Sequence, residues 1–212
     1  MEHNTERYNF VFVNMRNMSK AEQTKAFIIE KVAPVFNMKG YAGTSLTDMT
    51  EATGLTKGSI YGNFANKDEV ALAVFDYHLQ KIKSIISAEM SKYPTVKEQM
   101  FAYINVYSNF LKFPFPEGGC PILNTAVEAD DTHPALRKKA ADAIQGWKAQ
   151  IVRLLQKGIE NKEFTAPMDP EQVAITIIAM IEGGIMVSKL TGKLNYRTAV
   201  MQSVENLVNG LL

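Results

Sequence analysis

The chain has 212 residues, 46% hydrophobic and 21% charged, which suits one large domain or two small ones and excludes wholesale disorder. Lys and Arg total 23 against 22 Asp and Glu, so a uniformly basic coat is excluded while a local basic patch is not. One Cys rules out a disulfide framework and a Cys-rich zinc site, and three scattered His argue against a His-ligated metal centre.

Residues 1–18 carry no helical period and read as a flexible N-terminal arm. They also lack the positive start and apolar core of a signal peptide. The longest apolar stretch, residues 173–181, is too short to span a bilayer, so the expectation is a cytoplasmic protein without a membrane partner. From Ser19 the 3.6-residue period appears. Ser19 and Glu22 form a capping box, and Ala26, Ile29, Val32, Ala33 and Phe36 make one stripe of a helix ending at Gly40. Pro34 inside it predicts a kink. Thr44 or Ser45 caps a short second helix that Gly54 breaks. Thr56 caps a third, ending near Phe64. Asn66 caps a long fourth helix, with Asp68 and Glu69 favourably placed at its N-terminal dipole.

After Tyr93-Pro94 aromatic residues cluster. Val96, Met100, Tyr103, Tyr107 and Phe110 share one helical face, and residues 114–119 form a turn segment. A short helix follows over Pro121–Ala129, then a long one over about residues 132–161 with Leu136, Ala140, Ile144, Trp147, Ile151, Leu154 and Ile159 inward. Two helices close the chain, near residues 170–190 and 196–208. The expected fold is all-α with about nine helices. Its parts are the arm (1–18), a three-helix block (19–65), a connecting helix (66–90) and a second helical block (91–212).

Residues 40–72 carry the chemistry. Leu46, Met49, Ala52, Leu55, Ile60 and Phe64 can bury against the opening helix, leaving Thr56, Lys57, Ser59, Tyr61 and Asn63 outward. No acid lies between Leu55 and Asn66. Hydroxyls and amides bond phosphates and base edges, and lysines supply salt-dependent attraction, so the pair of short helices reads as a helix-turn-helix for the major groove.

The run Gly40-Tyr41, Thr44-Ser45, Asp48-Met49, Gly54-Leu55-Thr56-Lys57-Gly58-Ser59-Ile60-Tyr61, Phe64 and Lys67-Asp68-Glu69 resembles the DNA-binding domain of the TetR (tetracycline-repressor) family of bacterial regulators. The resemblance implies that Thr44 and Thr47 approach phosphates, and that Thr56, Lys57, Ser59, Tyr61 and Asn63 lie on the recognition helix. It further implies that Lys67 holds a phosphate and that Gly58 admits the backbone. Two positions depart from the family pattern: Asn63, where His is frequent, and Gly62, where a bulkier residue is usual.

The family also implies a homodimer on a palindromic double-stranded operator and a small, hydrophobic effector bound in the C-terminal domain. The expected pocket is lined by Phe101, Tyr103, Tyr107, Phe110, Cys120, Trp147, Met180 and Met186. The expected dimer contact comprises Gly183, Gly184, Val200, Val204, Leu207, Val208 and Leu211. Cys120 precedes Pro121 at a helix start, where a thiol can be reactive; the other reading is a small buried residue at a tight turn. Glu128, Asp130 and Asp131 read as helix-terminus residues rather than metal ligands. No cofactor is expected. Nucleophile, phosphate-loop and metalloprotease motifs are missing, so an enzyme is not expected. The second reading is a helical small-molecule binder that has lost operator recognition.

Overall fold

The computed structural model describes residues 18–109 and 112–211. Among these there are nine helices and no strand: α1 (Lys20–Gly43), α2 (Leu46–Thr53), α3 (Lys57–Tyr61), α4 (Lys67–Met90), α5 (Val96–Ser108), α6 (Pro121–Ala129), α7 (Pro134–Glu160), α8 (Pro170–Thr191) and α9 (Leu194–Asn209). The arm before Met18 and Phe110 lie outside the described residues.

Local chemistry sets most helix starts. Ser19 with Glu22, Ser45 with Asp48 and Thr95 with Glu98 form reciprocal capping boxes on α1, α2 and α5. At α4 the Glu69 amide donates to Asn66 Oδ1 at 2.9 Å. His133 caps α7 by accepting from the Leu136 amide through Nδ1 at 3.2 Å. The break in α1 comes at Gly40 (φ 74, ψ 178) rather than at Pro34. Proline removes a single backbone bond, and the surrounding turns hold its neighbours helical.

The chain forms two compact units. The first runs through Ser84 and takes in Pro116–Pro121; the second contains Ile85–Phe115 and Ile122–Leu212. The boundary therefore falls inside α4, not at either of its ends. The six residues 116–121, which carry no periodic signal, join the first unit. There the buried Asn37 of α1 donates through Nδ2 to the carbonyls of Glu117 (2.6 Å) and Gly119 (3.0 Å). Gly118 has φ +88, and a Cβ there would meet the Asn37 carbonyl oxygen at 3.0 Å. Both the backbone angle and the close approach call for glycine.

In the first unit Ile28, Val32, Phe36, Met49, Ile60, Phe64, Val70, Val74 and Phe75 are buried. The inward stripe of α1 is thus centred on Ile28 rather than Ile29. His78 sits within this core, its ring Nε2 donating to the Ala33 carbonyl at 3.0 Å.

In the second unit α5 packs on α7 and α9, and α8 on α7 and α9. Its core includes Met100, Tyr103, Ile104, Tyr107, Ile151, Leu155, Ile177, Ile181 and Val204. On α7, Leu155 is buried and Ile159 is 41% exposed. Gly158 faces inward because Phe164 occupies the space its Cβ would need, 2.2 Å from the ring. The helix α8 is long and apolar enough to cross a membrane by length and composition, exceeding the 173–181 stretch. Its Val173, Ala174, Ile177, Ile178, Ile181 and Ile185 are buried against the chain itself.

Burial holds His78 below the ordinary imidazole pKa; its bond to Ala33 opposes the shift and Lys81 adds to it. A folded-state pKa below the unfolded one stabilises the fold fully above about pH 6.5 and is lost as pH falls through the folded value. The melting temperature is therefore expected to drop between about pH 7.5 and pH 5, and to drop less in His78→Gln. Equal drops in thermal denaturation would exclude His78 as the cause.

Candidate nucleic-acid interface

The turn between α2 and α3 is built from three local bonds. Gly54 adopts a left-handed conformation (φ 68) and its amide donates to the Thr50 carbonyl at 2.8 Å. Thr53, buried, donates its hydroxyl to the Met49 carbonyl at 2.7 Å and accepts from the Leu55 amide at 3.2 Å. Thr56 then caps α3 by accepting from the Ser59 amide at 3.2 Å. Although α3 itself ends at Tyr61, the amides of Asn63 and Phe64 still bond the Ile60 carbonyl (3.0 and 3.1 Å) and extend the turn. Met49 and Ile60 are fully buried and Phe64 nearly so, which anchors both short helices.

This arrangement leaves Thr47, Thr56, Lys57 and Gly58 exposed and Ser59, Tyr61, Asn63 and Lys67 partly exposed. A Cβ on Gly58 would find only the Thr56 hydroxyl, at 3.9 Å, so this backbone is open to close approach. Thr44 is placed differently from the rest. It is fully buried, and its hydroxyl donates to the Gly40 carbonyl at 2.6 Å, closing the break in α1. Ser45, not Thr44, caps α2. Asn63 turns its amide group back to donate to the Ser59 carbonyl at 2.9 Å.

The contacts that position these side chains carry no signal in the sequence. Lys67 Nζ lies 4.5 Å above the Tyr41 ring, and the Tyr41 hydroxyl donates to Asp68. That bond, aided by burial, pushes the Tyr41 phenol up to about 12. The ammonium is thus steered by a ring, at the N-terminus of α4 where backbone N–H groups also favour anions. Lys39 reaches Asp48 at 2.5 Å. The Lys39 bond, with bonds from Ser45, holds the Asp48 carboxyl well below the usual carboxylate range. Glu69 accepts from the Ala65 amide (2.6 Å) and pairs with Lys25 (3.4 Å), and its pKa is lowered chiefly by the Ala65 bond. Asp48, Asp68 and Glu69 are therefore engaged within the unit.

The second unit gathers part of the expected effector lining. Tyr103, Tyr107 and Trp147 are buried, while Phe101 and Met180 are partly exposed. Met186 is 49% exposed on α8. Cys120 is buried in the first unit, within segment 116–121, and is not brought into the unit that holds these rings. Of the expected dimer residues, Val204, Val208 and Leu211 are buried inside the chain. Gly184 lies against its own α9, where a Cβ would meet Val200 at 3.2 Å. Val200 and Leu207 are partly exposed, and a Cβ on Gly183 would face open space. Val187, Leu190 and Leu194 join Met186 as exposed apolar side chains. Among the described residues, no group of three or more His, Cys, Asp or Glu could hold a metal ion.

A family model described as bacterial regulatory proteins, tetR family, matches residues 28–74, and one described as tetracyclin repressor-like, C-terminal domain, matches residues 97–204. The chain belongs to the TetR family of transcriptional regulators. A TetR-family regulator from Cytophaga hutchinsonii has 49% sequence identity and a TM-score of 0.86, the match covering 92% of this chain and 98% of that one. An uncharacterised helix-turn-helix regulator from the lacX 3′ region of Lactococcus lactis subsp. lactis is 31% identical over 192 residues, 86% of this chain and 88% of the relative. The transcriptional repressor DhaR of Mycobacterium sp. (strain GP1) is 24% identical over 166 residues, 77% and 81% of the two chains. Relatives and fold are those of TetR-family regulators rather than enzymes.

Replacing Ser45 by Ala removes the cap of an eight-residue helix. The expected loss is about 1 kcal/mol of stability, read by thermal or denaturant unfolding. An unchanged midpoint would show that α2 is held by packing alone.

Proposed function

We propose that this TetR-family chain is a homodimeric, cytoplasmic repressor that leaves a palindromic operator when a small effector binds its C-terminal domain. The observation that carries the DNA reading is the outward row of Thr47, Thr56, Lys57, Ser59 and Tyr61 on a turn held by buried Met49, Ile60 and Phe64. Lys67 adds a charge at the start of α4. An anchored turn with exposed polar groups and no acid between Leu55 and Asn66 suits a polyanion.

The dimer reading rests on α8 and the start of α9. Gly183, Met186, Val187 and Leu190 recur at helical spacing, and Leu190 and Leu194 are 85% and 57% exposed. Exposed apolar side chains grouped this way belong against a partner. A second copy accounts for them and supplies the two-fold symmetry that a palindrome requires.

Two covalent routes join the units: α4, which runs unbroken across the boundary, and segment 116–121, tied to α1 through Asn37. An effector that binds the non-operator geometry better must lower DNA affinity by the same factor.

Selection from a random double-stranded library tests the DNA reading, with a palindrome the expected product. Persistent failure, also after ligand-free refolding, would favour the helical binder that no longer reads DNA. On the selected site, Lys57→Ala is expected to weaken binding and reduce the salt slope by about 1, with stability within about 0.5 kcal/mol of the parent. An unchanged slope would remove Lys57 from the phosphate contacts. For the dimer, Leu190→Arg is expected to give a folded monomer in analytical ultracentrifugation; a persistent dimer would place the interface elsewhere.

A further inference from the structure

Lys67 and Asp68 are neighbours in the first turn of α4 and bring opposite charges to the same small space. An anion at that turn gains from the lysine and from the backbone N–H groups, and loses to the aspartate. Asp68 is exposed, so burial does not take its charge out of reach. Tyr41, which follows the Gly40 break in α1, touches both residues. Its ring lies 4.5 Å from Lys67 Nζ, and its hydroxyl donates to Asp68 Oδ1. Phenylalanine would supply the same face to the lysine, so the ring contact does not account for the hydroxyl. The Asp68 bond, with burial, holds the Tyr41 phenol up to about 12, and it therefore remains a donor through neutral pH.

We propose that Tyr41 is the positioning residue of a phosphate contact at the start of α4, its ring presenting Lys67 and its hydroxyl tying Asp68 aside. This rests on the reading of the first unit as a DNA binder, and it gives a role to a residue that acts through two others. A hydrogen bond does not cancel a carboxylate charge; it fixes where that charge sits. An exposed carboxylate left unheld samples rotamers closer to a bound phosphate and offsets the attraction of the lysine beside it.

The test measures binding of the full chain to a mixed-sequence duplex of about 30 base pairs at about 50 mM salt, because phosphate contacts are independent of sequence. Tyr41→Phe keeps the ring and releases Asp68, and binding is expected to weaken about fivefold. Adding Asp68→Asn should restore the parent affinity, whereas Asp68→Asn in the parent should gain less than about twofold. Equal gains in the two backgrounds would overturn the role of the hydroxyl, since the carboxylate would then act independently of Tyr41. Tyr41→Leu with Asp68→Asn removes the ring as well. Its salt slope is expected to lie about 1 below that of Tyr41→Phe with Asp68→Asn; equal slopes would overturn the role of the ring. Thermal unfolding of each variant separates these results from loss of the fold, which Asp68→Asn cannot repair. If the parent chain does not bind the duplex at this salt, the DNA reading falls and the proposal with it.

Discussion

A helix of five residues has no independent stability in water, because too few backbone bonds follow the costly first turn. The recognition segment, α3, is such a helix. What holds it is burial: Ile60 inside the helix and Phe64 just beyond it are sealed in the first unit, as is Met49 on α2. Everything the outward side chains can do follows from this. The Thr56 hydroxyl is occupied in part by the cap, and the Asn63 amide by the end of the turn. Lys57 stands exposed at the first position of the helix.

The same economy of roles separates charges in the rest of the unit. Asp48, Asp68 and Glu69 lie close to the candidate interface, yet each is engaged by a neighbour: Lys39 and Ser45, Tyr41, and Ala65 with Lys25. Without those partners the carboxylates would repel a phosphate backbone. With them, the acids orient the helices that carry the lysines. A chain of net charge +1 can therefore present a locally positive surface without a basic composition.

The two units share their covalent connections in an uneven way. The helix α4 belongs to both, and residues 116–121, which run into the first residue of α6, return to the first unit, where Asn37 bonds two of their carbonyls. That segment contains Gly118 at positive φ, Cys120 and Pro121. Its sequence marks a turn and a helix start; the destination of the turn is a long-range matter. Cys120 illustrates the point. As a residue beside a proline it reads equally as a reactive thiol or a small buried one, and its packing in the first unit fits the second reading.

The sequence by itself determined the all-α class, most helix starts and the helix-turn-helix. Caps, a left-handed glycine and a 3.6-residue period act over three or four residues, so their chemistry is complete within the local string. Tertiary structure alone decided which apolar residue meets which surface. Thr44 and Ser45 are equivalent as cap candidates until the Gly40 carbonyl claims Thr44. Val204, Val208 and Leu211 form a stripe in any helix, but only packing shows that the chain itself covers them while Leu190 stands exposed. Trp147 and Tyr107 are each legible as apolar, whereas their near-parallel stack arises from residues forty positions apart. Periodicity identifies a face; it carries no information about the partner, because burial depends on contacts between elements distant in the chain.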